Sequence, residues 1–270
     1  MPGSERSELK RKIKREAQKL GMNLVGVASV ERWEEYRETD QAFFPTDIWP
    51  WSRVVIVMGV QIFLPMIETT PSVVYSELYN TTNRLLDEVA YRLANFLNTL
   101  GHRAFFFPRD CYGDISVLVR KPEAAFSHVL AGKYAGLGSI GFNHTLLTPE
   151  YGPRVRLVSV LSDVELPPDK VIEKDLCFQC GVCKKNCPVG AFTTIPRAVV
   201  ADMNKNKCAE YHQKLKNELR YPCGVCTMVC PVGRDRQIYG HSSVTKEGIA
   251  HCQNFGSKNA VGKNDLKKLA

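Results

Sequence analysis

Two runs of cysteine carry the chemistry of this chain: Cys177-Phe-Gln-Cys180-Gly-Val-Cys183-Lys-Lys-Asn-Cys187-Pro188, and Cys223-Gly-Val-Cys226-Thr-Met-Val-Cys230-Pro231. In the first, three closely spaced cysteines wrap one face of a four-iron, four-sulfide cube. The fourth, followed by proline, is carried away toward a neighbouring cube. The second run has the same ending but is one ligand short. Cys208, fifteen positions before Cys223, can supply it, with Cys252 as the alternative. The count then closes on eight. Cys177, Cys180, Cys183 and Cys230 serve one [4Fe–4S] cluster, and Cys187, Cys208, Cys223 and Cys226 the other. Zinc sites favour two C-x-x-C pairs and give no reason for the x3-C-P ending. Disulfides require an oxidising compartment, and no secretory segment is visible. Cys111 and Cys252 remain as structural thiols.

A two-cluster ferredoxin unit needs only a few dozen residues, yet 176 precede the first run. Their pattern predicts an α+β domain. A helix over 5–20 ends at Gly21, and Leu24–Ala28 reads as a short strand. Residues 39–53, with Phe43, Phe44, Trp49 and Trp51, read as a packed loop. Val54–Val60 is a buried strand by its unbroken apolar, β-branched run. A long helix follows over 73–99. Arg103–Phe107 and Ser116–Val119 are further strands, Pro122 opens a helix reaching Tyr134, and Arg154–Leu161 is the last strand. The expected organisation is a first domain over 1–170, a cluster domain over 171–240 and a polar tail over 241–270.

The formal charge is +8. A cube of charge +2 held by four thiolates nets −2, so two clusters bring the holoprotein to about +4. The basic run Lys10–Arg15 is interleaved with Leu9, Ile13 and Ala17 and reads as the solvated face of an amphipathic helix. No apolar stretch approaches the roughly 18 residues of a membrane span. A cytoplasmic protein of an anaerobic or low-oxygen cell is expected, without membrane attachment.

Ala135-Gly-Leu-Gly-Ser-Ile-Gly141, Leu147-Thr-Pro-Glu-Tyr-Gly-Pro-Arg-Val-Arg156, Ser162-Asp163 and Leu166-Pro-Pro-Asp169, followed by the first cysteine run, resemble the corrinoid-dependent iron–sulfur reductases. These comprise the reductive dehalogenases and the epoxyqueuosine reductases. Order and spacing agree over about 55 residues and continue to Pro231, and Cys208 is placed like the isolated cysteine of epoxyqueuosine reductases. Residues 84–104 are again similar to the dehalogenase type. The resemblance implies a nitroreductase-like α/β sandwich domain that holds a cobalamin, followed by a bacterial-ferredoxin-like domain with two [4Fe–4S] clusters. Electrons from a donor such as ferredoxin or flavodoxin would pass through the clusters to the cobalt. The substrate would be a small molecule or a corrinoid protein.

The candidate cofactor-binding residues are Gly136, Gly138, Ser139, Ile140 and Gly141, where missing side chains let backbone approach a bulky planar ligand, together with Arg154 and Arg156. The string Gly136-Leu-Gly-Ser-Ile-Gly141 is a weak dinucleotide signal because it follows a helix rather than a strand. The arginines alternate on a strand and share a face; surface pairing is the bland alternative. Dehalogenases use a tyrosine as proton donor, which makes Tyr75 and Tyr79, four apart on one helix face, candidates beside ordinary packing. Epoxyqueuosine reductases place an aspartate where Pro122 stands here. Glu123 is the neighbouring carboxyl and a candidate donor if buried, or else a carboxylate at a helix start. His128 and His144 read as hydrogen-bonded structural histidines. A twin-arginine signal and a carboxy-terminal helical-repeat extension are both missing, so a short cytoplasmic relative is expected. Three readings follow: a cobalamin-dependent reductase, an electron-transfer protein relaying electrons to a partner, and, least favoured, a tRNA-modifying enzyme.

Overall fold

The computed structural model describes residues 3–36, 44–239 and 246–254. The first part of the chain contributes α1 (Gly3–Lys19), β1 (Leu24–Ser29), a 3-10 segment (Val30–Tyr36), α2 (Pro45–Ile48), β2 (Val54–Gln61), α3 (Leu64–Ile67), α4 (Val73–Thr99), β3 (Ala104–Phe107), α5 (Ile115–Arg120), α6 (His128–Tyr134), β4 (Ser139–Ile140), β5 (Leu146–Leu147) and β6 (Val155–Ser162). The cysteine-bearing part adds α7 (Val182–Lys185), β7 (Phe192–Thr193), β8 (Asp202–Met203), α8 (Lys205–Asn217), α9 (Val225–Met228), α10 (Asp235–Tyr239) and α11 (Lys246–Asn254). Among these residues no helix is long and apolar enough to cross a membrane.

The main sheet runs β1-β2-β6-β3, with every neighbouring pair antiparallel. Its two faces explain the unbroken apolar run of β2. Val54, Ile56, Met58 and Val60 face a core built with Ile13 and Ala17 of α1 and Leu86, Val89, Leu93 and Leu97 of α4. Val55 and Val57 face a second core of Trp33, Phe126, Ala131 and Tyr134. A strand covered on both sides has no polar alternation to show. Helix α4 spans the predicted 73–99, started by Ser72, whose hydroxyl accepts from the Tyr75 amide at 3.1 Å.

Two predicted elements differ. Ser116–Val119 lies in a short helix, because Asp114 caps it by accepting from the Ser116 amide at 2.9 Å. Pro122 opens no helix. Lys121 is extended, as the residue before a proline prefers. The chain stays irregular to Ser127, which caps α6 by accepting from the Leu130 amide. In the predicted loop, residues 37–43, including Phe43, lie outside the described residues, as does the tail apart from α11. Within the loop, Pro45–Ile48 is a helical turn.

A buried ion pair fastens the two parts together. Arg154, just before β6, reaches Asp235 of α10 through Nε at 2.6 Å and through its terminal nitrogen at 2.7 Å. It also donates to the carbonyls of Cys230 at 2.9 Å and Val232 at 2.6 Å. Arg154→Met would leave the buried Asp235 carboxylate without its ion-pair partner Arg154, at an expected cost of about 3–5 kcal/mol. Anaerobic urea unfolding checks this, and an Arg154→Met/Asp235→Leu double variant should recover much of the loss.

Candidate functional site

The eight cluster-type cysteines stand in two groups. The Cys183 thiol feels Cys230, Cys180 and Cys177, and Cys230 feels Cys180 and Cys177. Cys223 feels Cys208 and Cys187, and Cys226 feels Cys223 and Cys208. Cys226 also feels Cys183 of the other group, so the two sets abut. Burial pushes Cys183 and Cys208 up to about 11 and Cys223 and Cys226 up to about 12. Buried thiols of this kind suit a cationic metal core, which favours the thiolate. Among the described residues no three His, Cys, Asp or Glu side chains converge on a single-ion position. Four thiols around a cube stand farther apart than four around one zinc. Phe142, Phe192 and Ala201 form an apolar shell against Cys177, Cys183, Cys187 and Cys226. Cys252 stands on α11.

A cavity of about 670 Å³ lies between the α+β part and the second set. Cys187, Cys208, Cys223 and Cys226 all line it, and none of Cys177, Cys180, Cys183 and Cys230 does. Facing them is a polar knot. Tyr79 donates to Asp110 at 3.0 Å, and Arg156 donates to Asp110 at 2.8 Å and to the Asn83 side-chain oxygen at 3.0 Å. The Arg156 guanidinium lies 4.3 Å from the centre of the Tyr79 ring. Burial works against its charge, but Tyr79, Asp110 and Tyr112 outweigh burial and raise its affinity for the proton. Tyr112 and Tyr221 join hydroxyls at 2.7 Å, and Tyr221 meets Tyr79 edge-on at 5.5 Å. The rest of the lining is largely apolar, with Ile62, Ile115, Phe126 and Leu157.

Residues 170–193 match the 4Fe-4S binding domain family. A tetrachloroethene reductive dehalogenase of Desulfitobacterium hafniense is 32% identical over 177 residues, 64% of this chain and 28% of that protein. An epoxyqueuosine reductase of Bacillus cereus is 38% identical over 78 residues, 29% of this chain and 20% of that one. The chain is thus similar to iron–sulfur reductases of both kinds. It matches less than a third of the length of either relative. The fold agrees: a solved reductive dehalogenase of B12-dependent dehalogenation superposes with a TM-score of 0.60 at 19% identity, covering 89% of this chain and 34% of that one.

In this chain the candidate residues separate. Tyr75 and Tyr79 both reach the cavity. Tyr75 packs its ring edge against Gly224, between two cysteines of the second set, and burial raises its pKa well above the ordinary tyrosine value. Tyr79 holds the polar partners. Glu123 lines the cavity from an irregular segment, half-exposed and paired with Lys121 at 2.9 Å, so it is neither a buried acid nor a helix-start carboxylate. Arg156 reaches the cavity. Arg154 does not, because Asp235 and the Cys230 carbonyl claim it.

The glycine turn is a correction. Gly136, Gly138, Ser139, Ile140 and Gly141 do not line the cavity. A Cβ on Gly138 would sit 1.9 Å from the Leu147 carbonyl oxygen, and one on Gly136 would sit 2.2 Å from that of Lys170. The close approach that needs glycine is to the protein's own backbone. Ser139 accepts from the Leu176 amide at 2.8 Å, and Ile140 pairs with Leu146.

His128 is partly buried, bonded to Ser159 at 2.8 Å and beside Cys111 at 3.2 Å. Burial pushes the imidazole down to about 4 and the Cys111 thiol up to about 12, so both stay neutral. His144 is bonded to the Ala201 carbonyl at 2.8 Å. The sequence reading missed Asp110, Tyr112 and Tyr221. The signal for the first two was a polar, glycine-containing loop, Asp110-Cys-Tyr-Gly-Asp114, directly after a strand.

Proposed function

We propose that this chain is an iron–sulfur reductase with one [4Fe–4S] cluster on Cys177, Cys180, Cys183 and Cys230, a second on Cys187, Cys208, Cys223 and Cys226, and a corrinoid in the adjoining cavity. The observation that carries the reading is that cavity, with four thiols on one wall and the Tyr79–Asp110–Arg156 knot on the other. Its size is that of a small-molecule or cofactor site, and its mostly apolar lining suits a flat macrocycle. When bound, the clusters carry single electrons and the corrinoid supplies a strongly reducing metal centre.

The chain's own residues do the rest. Tyr79 holds the proton to be delivered at its hydroxyl. Arg156, over the same ring, stabilises the phenolate left behind. Asp110 orients both, and the apolar walls keep competing water out. Dehalogenation and epoxide reduction, the chemistries named for the relatives, are the classes to screen, and the substrate is a small molecule or a corrinoid protein. Pro122 has no proton to give at the aspartate position of the epoxyqueuosine reductases, which places a tRNA substrate last.

Anaerobic reconstitution with iron, sulfide and cobalamin, followed by gel filtration, tests the reading. About eight irons per chain and co-eluting corrinoid are expected. Eight irons with no retained corrinoid would instead support the electron-relay reading.

A further inference from the structure

Of the eight cluster-type cysteines, Cys180 alone is exposed. Beside it Phe178 shows 66% of its surface to solvent, an unusual position for a phenylalanine. Two contacts gather neighbouring segments onto the same face. Gln179 donates to the Ala198 carbonyl at 3.4 Å, and Lys184 donates to the Thr194 hydroxyl at 3.0 Å. Ile195 is exposed there as well. Lys184, Lys185 and Arg197 are exposed, and none has a carboxylate partner among the described residues. Glu173 and Asp175 stand on the approaching segment with Lys174 between them, so the positive excess comes from α7 and the 194–198 segment. The first cysteine set therefore opens onto an apolar spot rimmed by cations, while the second opens onto the cavity.

We propose that the face formed by Phe178, Cys180, Lys184, Lys185, Ile195 and Arg197 is the docking surface for an acidic one-electron carrier protein. The inference rests on the two-cluster reading above and adds its entry point. The apolar centre provides close approach to the thiol nearest solvent, and the cationic rim steers an acidic partner and fixes its orientation. Each encounter oxidises the carrier by one electron and reduces one cluster by one electron. Two encounters supply a two-electron reduction at the cavity.

The test uses the anaerobically reconstituted holoprotein and a bacterial ferredoxin of net negative charge. The dissociation constant is measured by titration at low and high salt, and cluster reduction is followed by stopped-flow absorbance. Binding should weaken as salt rises. A Lys184→Glu/Arg197→Glu variant should bind about tenfold or more weakly at low salt and slow reduction in proportion. Phe178→Ala should slow reduction at unchanged iron content. Excess dithionite should bring every variant to the same reduced spectrum. Salt-independent binding, or an unchanged dissociation constant in the charge-reversed variant with eight irons retained, would overturn the docking surface alone. A chain that takes up no iron would overturn the cluster reading beneath it.

Discussion

Tyr79→Phe is expected to lower turnover about a hundredfold or more, the usual cost of losing a positioned proton donor. The substitution keeps the ring beneath Arg156 and its edge contact with Tyr221, so the cavity walls stay in place. What it removes is the hydroxyl that Asp110 holds at 3.0 Å. The loss should fall on kcat with KM little changed, the pattern of an interaction made only in the transition state. Tyr75→Phe is the matched control, since Tyr75 meets Gly224 through its ring edge. Steady-state kinetics with whichever halogenated or epoxide compound is turned over decides between them. Equal losses in the two variants, or none in Tyr79→Phe, would remove Tyr79 from the donor role.

Cys208→Ala should cut the iron content from about eight to about four per chain. Cys208 shares its electrostatic surroundings with Cys187 and Cys223, and three thiols would be left to hold the second cube. The first set, Cys177, Cys180, Cys183 and Cys230, should keep its cluster, visible as a single electron-paramagnetic signal after reduction. Because the second set borders the cavity, the variant should also lose reduction of any bound substrate. Cys252→Ala should leave the iron count unchanged. If the two variants exchanged these outcomes, Cys252 would be the eighth ligand.

The elements most readable in the sequence were those fixed by local rules. The helix over 73–99 has a serine cap and a long apolar stripe, and Val54–Val60 has the unbroken run of a strand covered on both faces. The cysteine spacing was equally legible, because a cube imposes its ligand geometry on short stretches of chain. The failures were also local in origin. Ile115–Arg120 is β-branched and apolar, so it reads as a strand until the Asp114 cap is seen. Pro122 fits the first turn of a helix, yet the chain remains irregular to Ser127.

By itself, then, the sequence determined that this protein carries two cysteine runs, the first of the 4Fe-4S binding type, behind a large α+β part. What only the tertiary structure decided is which set faces the cavity and which side chains meet there. Tyr79, Asp110, Arg156 and Tyr221 come from a helix, a loop, a strand and the threshold of the second cysteine run, and no spacing rule links them. It also reversed two assignments. The glycines are small to make room for backbone, and Arg154 is an inter-part anchor rather than a ligand contact. The physical reason is common to both: a glycine or an arginine declares what it can do, but the partner that uses it is chosen by chain packing, as Lys170 is for Gly136 and Asp235 for Arg154.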